Sequence, residues 1–127
     1  MVHVLYDADD ECLPRVQQMF GDSESELHVL PYCFAGNSGP SIFNINYDLS
    51  TSSLLNLNSE YEGYYIGSRD FDWLVSETLK TVEKRPITTV TLDDVFVRGD
   101  GQLQPPDFLS LDTQGSEYDI LLGGVET

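Results

Sequence analysis

Val2, Val4 and Leu5 form a short apolar run that breaks at an acidic turn, Asp7 to Asp10. This reads as a strand leading into a helix, with Asp9 or Asp10 as the cap and acids in the first turn favoured by the helix dipole. Cys12, Val16, Met19 and Phe20 fall at i, i+4, i+7 and i+8, one helical face. Pro14 is tolerated in the first turn, and Gly21 stops the helix. A second strand follows in "ELHVLPYCFAG", with Leu27, Val29 and Leu30 apolar. After a turn at "NSGP", the segment "SIFNINYDLS" alternates Ile42, Asn44 and Asn46 against Phe43, Ile45 and Tyr47. Period two with polar partners predicts a half-exposed strand, antiparallel to its neighbour.

The next stretch, "STSSLLNLNSEYEGYYIGSRD", lacks periodicity and reads as a long loop, a kind of segment that often carries function. Phe71 to Val82 fits a short helix around Trp73, Leu74 and Leu79, although "FDWLV" also suits a strand. "ITTVTLDDVFV" begins as a β-branched strand, and Leu92 to Phe96 then reads as a capped helical turn. "RGDGQLQPP" is a loop whose Arg98-Gly99-Asp100 tripeptide is explained by a turn. "DFLSLD" predicts a strand, and "SEYDILLGG" a helix ending at Gly123-Gly124. Strands alternating with helices predict an α/β domain with a largely parallel sheet plus one antiparallel strand or hairpin. Such sheets bind ligands at the carboxyl ends of their strands. Two strands end on acids, Asp7 and Asp112, and each acid is either a helix cap or part of a site.

At 127 residues the chain has the size of one domain with its own core. Its 22 acids against 6 bases give a net charge of −16, with Lys80 and Lys84 the only lysines. A field of that sign repels phosphates, so nucleic acid is not an expected partner. The acids are spread along the whole chain, which favours a solvated acidic surface over a single patch. No apolar run reaches membrane-spanning length, and no basic-then-apolar leader opens the chain, so no membrane partner and a cytoplasmic location are expected. Cys12 and Cys33 lack a CxxC spacing, and His3 and His28 sit in strand-like runs, so no metal site is expected.

The segment "TVTLDDVF…PDFLSLDTQGSEYDILLGG" resembles the signature of FkbM-family S-adenosylmethionine-dependent methyltransferases, roughly T-x-T-L-D-D followed by D-F-L-K-x-D-x-Q-G-x-E-x-x-I-L-x-G. Upstream, "LYDADDECLPRV", "VLPYCFAG" and "STSSLLNLN" resemble the family's segments in order, with Leu57 in place of a proline. The resemblance implies a Rossmann-like three-layer fold and a methyl transfer to a small-molecule or saccharide hydroxyl. It implies S-adenosylmethionine as cofactor, with Asp7 on the ribose, Phe34 and Ala35 following Cys33 on the adenine side, and Gln114 and Gly115 in the signature turn. Asp112 and Glu117 take the catalytic positions, and Ser52 and Ser53 the acceptor side.

Compared with that pattern, Ser110 replaces the usual lysine, and no GxGxxG turn is present. The chain begins at what resembles the family's second strand and stops after the signature helix. It therefore reads as the central part of such a domain, for which weak or absent S-adenosylmethionine binding is expected. An exposed sheet edge is expected to pair with a second copy. The alternative is a non-catalytic acidic α/β module for binding or assembly, derived from a methyltransferase. An unrelated nucleotide-binding domain is disfavoured by the lack of a P-loop.

Overall fold

The computed structural model describes residues 2–7, 14, 18–19, 26–64, 75–99 and 101–127. Of the first expected helix, Cys12, Val16, Phe20, Asp9, Asp10 and Gly21 lie outside the described residues. Pro14, Gln18 and Met19 are helical, and Met19 is exposed.

Strand β1 (Val2–Tyr6) pairs in parallel with β2 (Glu26–Leu30), from Val2 opposite Glu26 to Tyr6 opposite Leu30. The apolar segment expected as one strand is split at Pro31-Tyr32 into β2 and β3 (Cys33–Phe34). The two pieces serve different sheets. β2 pairs with β1, whereas β3 joins a three-stranded sheet of order β3-β5-β4. That sheet contains β4 (Gly39–Asn46) and β5 (Thr81–Val90), separated in sequence by the short helix α1 (Val75–Thr78). The expected helix from Phe71 to Val82 is thus confined, among the described residues, to α1, because Thr81 and Val82 already belong to β5. Trp73 and Leu74 lie outside the described residues, and Leu79 is in a turn.

Among the described residues the sheets combine parallel and antiparallel pairing, and the β1-β2 sheet is wholly parallel. β3 and β5 are parallel only at Cys33–Thr89 and Phe34–Val90, whereas β4 and β5 run antiparallel from Gly39 opposite Thr89 to Asn46 opposite Thr81. The two prolines explain how this hairpin is tolerated. Asn44 turns its N–H and C=O away from β5, toward Ser53, at 2.8 and 3.0 Å. Residues two and four positions earlier, Ile42 and Pro40, share that orientation by the period of a strand. Pro40 and Pro86 therefore both fall in pairs that exchange no ladder bond, and neither removes one. On its far side β5 meets β3, among the described residues, only at Thr89 and Val90, so Pro86 removes no described ladder bond there either.

Asn44 and Asn46 also correct the half-exposed reading of β4, since both are buried. Their amides are spent on the loop that follows. Asn44 Nδ2 donates to the Ser53 and Leu55 carbonyls at 3.3 and 3.0 Å. Asn46 Nδ2 donates to the Thr51 carbonyl at 2.7 Å, and Asn46 Oδ1 accepts from Thr81 Oγ1 at 3.0 Å. The long loop is consequently partly ordered, with 3-10 turns at Leu49–Thr51 and Ser59–Tyr64.

The core lies under β3. Phe34, Leu92, Phe96 and Ile120 are its buried centre, with Val4, Tyr6, Val90, Leu109 and Leu111 packed around them. Each such side chain contributes about 1.5–3 kcal/mol by leaving water. The Phe34 ring meets Tyr6 edge-on at 4.6 Å and stacks on Phe96 at 6.3 Å.

Helix α2 (Leu92–Phe96) confirms the capped turn. Thr91 is the cap, and its hydroxyl accepts from Asp94 N–H at 3.1 Å. Helix α3 (Glu117–Leu122) ends at Gly123 as expected. The reason is contact rather than backbone conformation, since a Cβ on Gly123 would lie 2.7 Å from the Ala35 carbonyl and 3.2 Å from Thr91 Cβ. Asp93 completes this junction. Its buried Oδ1 accepts from Glu126 N–H at 3.0 Å, Thr127 N–H at 2.9 Å and Thr127 Oγ1 at 2.8 Å.

The segment Phe108 to Leu111 is not a strand. Leu109 and Leu111 reach the core while Phe108 is 83% exposed, the alternation of an extended chain. It has no ladder because no described strand pairs with it. A side-chain bond ties it to β1, from Tyr6 Oη to the Ser110 carbonyl at 3.3 Å.

Asp93→Ala removes the buried acceptor of two backbone N–H groups and a hydroxyl and is expected to cost about 1–3 kcal/mol in urea unfolding. Asp93→Asn keeps Oδ1 and should cost about 1 kcal/mol. Equal, small effects of both variants would contradict the role given to this carboxylate.

Candidate functional site

The carboxyl ends of β1 and β3 lie side by side. Asp7 follows β1, is exposed, and donates its N–H to the Leu30 carbonyl at 3.3 Å, which sets it level with the start of β3. Its charge reaches Cys33. Burial first, and Asp7 second, push the Cys33 thiol up to about 11, so this cysteine stays a neutral thiol. The expectation that Cys33 is a packing residue is consistent with this.

Ala35 continues β3, donating its N–H to the Val90 carbonyl at 3.0 Å. Beyond it opens a cavity of about 660 Å³, within the range of small-ligand sites. Its walls are the Ala35–Ser41 connection, Leu54 and Leu55 from the loop after β4, and Ser116, Asp119 and Leu122 of the signature helix. Much of its polar lining is already engaged. Ser38 Oγ donates to Asp94 Oδ2 and accepts from Thr91 N–H, and Thr89 Oγ1 faces the Asn37 and Gly39 carbonyls at 2.8 and 3.1 Å. Ser116 Oγ bonds Thr113 Oγ1 at 3.0 Å. Asp119 is in the wall, and no lysine or arginine is among the described lining residues, so the wall offers an anion no cationic partner.

The signature turn borders this cavity. Gln114 and Gly115 both have left-handed backbones, φ 57° and 103°. That conformation suits Gly115 and is uncommon for Gln114. Glu117 stabilises it from the next helix. Its Oε1 accepts from Thr113 N–H at 2.9 Å and Gly115 N–H at 3.1 Å. Hydrogen bonds from its own backbone N–H first, then from Gly115 and Thr113, hold its carboxyl below the ordinary glutamate range. The geometry therefore places Glu117 as a clamp on the turn. Asp112, which precedes the turn, is exposed.

The other expected site residues divide in the same way. Phe34 is 3% exposed and its ring belongs to the core, so of the Phe34-Ala35 pair it is Ala35 that borders the cavity. Ser52 Oγ accepts from Asn46 N–H at 3.1 Å. Ser53 Oγ donates to the Gln114 carbonyl at 3.0 Å. Both serines thus contact the protein's own backbone.

Sequence reasoning passed over Ser38, Asn44 and Asp94. A signal for Asp94 existed in Thr91-x-x-Asp94, the spacing of a helix-capping pair. Hydrogen bonds from Ser38 first, then Thr91 and Arg98, hold Asp94 below the usual carboxylate range. Nothing in the local pattern marks Ser38 or Asn44, whose partners lie in other elements. Asn44 Oδ1 is buried with no partner among the described residues. No group of three His, Cys, Asp or Glu side chains suited to a metal ion occurs among the described residues. No helix among them is long and apolar enough to cross a membrane.

Residues 26–127 match the family described as the methyltransferase FkbM domain. No curated protein and no solved structure matches the chain.

Because the folded-state pKa values of Glu117 and Asp94 are lowered, their stabilising contribution is complete above the unfolded carboxyl pKa of about 4. It is lost as pH falls from there through the lowered folded values. Stability should therefore drop on acidification through this window, and Glu117→Gln should show a shallower drop there. Superimposable urea midpoints against pH for the two proteins would remove the clamp.

Proposed function

The chain belongs to the FkbM methyltransferase-domain family, and from that premise we propose that it is the cofactor-side core of a Rossmann-like, S-adenosylmethionine-dependent O-methyltransferase. The observation that carries this reading is the cavity beyond Ala35 at the end of β3, walled by Ser116, Asp119 and Leu122 of the signature segment. Asp7 follows β1 and is exposed, and Gln114 and Gly115 precede Ser116 in the turn, although none of these three lines the cavity itself. Sheets of this class hold ligands at the carboxyl ends of their strands.

The residues present fit the cofactor's chemistry. A carboxylate accepts two hydrogen bonds from a ribose diol, which is the role proposed for Asp7. A cavity of about 660 Å³ walled by Leu54, Leu55 and Leu122 suits a flat, largely apolar base beside Ala35. When bound, S-adenosylmethionine supplies an activated methyl on a sulfonium. The protein's part is alignment, which can supply about 7–11 kcal/mol in favourable cases. The role assigned to Asp112 is to accept the proton of an attacking hydroxyl, supported by its exposure and by the clamped turn that follows it. Glu117 keeps its carboxylate on the turn. The acceptor proposed is a small-molecule or saccharide hydroxyl.

Titration with S-adenosylhomocysteine, followed by amide NMR, tests this directly. Saturable shifts at Asp7, Ala35, Gln114 and Gly115 are expected, with affinity weaker than micromolar because the chain has no GxGxxG turn. Asp7→Asn should weaken binding by about tenfold, the scale of a charged hydrogen bond. Shifts confined to other residues, or none at millimolar ligand, would refute the assignment.

A further inference from the structure

We infer that Ser53 is a positioning residue: its buried hydroxyl couples the loop after β4 to the signature turn and holds Gln114 and Gly115 in their left-handed conformation at the cavity wall. The ligand those residues meet is the one given by the methyltransferase reading. The coupling itself rests on geometry alone.

Ser53 lies 61 residues from Gln114 in sequence, yet its Oγ donates to the Gln114 carbonyl at 3.0 Å. The same oxygen accepts from Leu55 N–H at 3.0 Å. The hydroxyl is thus committed in both directions, and the residue is 6% exposed, which removes it from substrate contact. Its backbone is equally fixed. The N–H and C=O of Ser53 bond those of Asn44, at 3.0 and 2.8 Å. Asn44 Nδ2 adds bonds to the Ser53 and Leu55 carbonyls. β4 therefore presents Ser53 as a rigid donor.

On the receiving side, Gln114 adopts φ 57°, which a residue with a side chain disfavours without support. Glu117 grips the N–H groups on either side of it, and Ser53 takes the carbonyl between them. The turn is thus held from two directions, by the loop after β4 and by α3. Leu55 follows the same path, since its Cδ1 would lie 3.0 Å from a Cβ on Gly115. One serine thereby sets both a cavity wall and the backbone beside it.

The test compares amide hydrogen exchange in the wild type, Ser53→Ala and Ser52→Ala. Ser52 Oγ bonds Asn46 at the end of β4 and, among the described residues, no part of the signature turn, so Ser52→Ala controls for general loosening. Exchange at Leu55 must rise in Ser53→Ala, which shows that the bond is lost. The inference expects Thr113 and Gly115 to exchange about five- to tenfold faster in Ser53→Ala, the scale of one hydrogen bond, and to stay at wild-type rates in Ser52→Ala. It also expects S-adenosylhomocysteine affinity to fall by a similar factor in Ser53→Ala, with a melting temperature matching that of Ser52→Ala. Wild-type exchange at Thr113 and Gly115 in Ser53→Ala overturns the coupling. Faster exchange with unchanged ligand affinity reduces Ser53 to a structural residue and overturns the positioning role. If the wild type itself fails to bind S-adenosylhomocysteine, the methyltransferase reading falls, and exchange alone still decides the coupling.

Discussion

The arrangement depends on how closely helix α3 can approach the end of β3 and the start of α2. Gly123 makes that approach, with the Ala35 carbonyl and Thr91 where a side chain would stand. The buried Asp93 carboxylate then ties the following residues, Glu126 and Thr127, to α2. Burying a carboxylate is costly unless its oxygens find donors, and Asp93 finds three on one oxygen. Separate α3 from this junction and the cavity loses a wall, because Ser116, Asp119 and Leu122 are its helical side.

The acids of the signature divide accordingly. Asp93, Asp94 and Glu117 are engaged within the protein: Asp93 on backbone donors past α3, Asp94 on Ser38, Thr91 and Arg98, and Glu117 on the turn. Asp7 and Asp112 are the exposed acids at strand or segment ends. Thr91 caps α2 and Glu117 clamps the turn, while Asp7 and Asp112 are exposed.

Much of this was legible in the residues. The strand ending at Asp7, the capped turn at Leu92 and the helix ending at Gly123 follow local rules of periodicity and capping, and all three form. What escaped depends on distant partners. "DFLSLD" has a strand's alternation, yet a strand also needs a neighbour, and no described strand supplies one. Asn44 and Asn46 look like the wet side of a strand because polarity suggests water. Here the polar partners are carbonyls of the protein's own loop. Ser53 sits in a stretch without periodicity, and its meaning appears only when the fold brings Gln114 to it. The antiparallel strand expected at β4 does form, but its partner, β5, lies well downstream in sequence, which no local pattern announces.

The nucleoside site proposed at the carboxyl ends of β1 and β3 can be seen directly in a crystal of the chain soaked with S-adenosylhomocysteine. The ribose hydroxyls are expected within hydrogen-bond reach of the Asp7 carboxylate, the adenine beside Ala35 and the turn backbone unmoved. Ligand ordered elsewhere on the protein, or a turn that rearranges to admit it, would contradict the proposal.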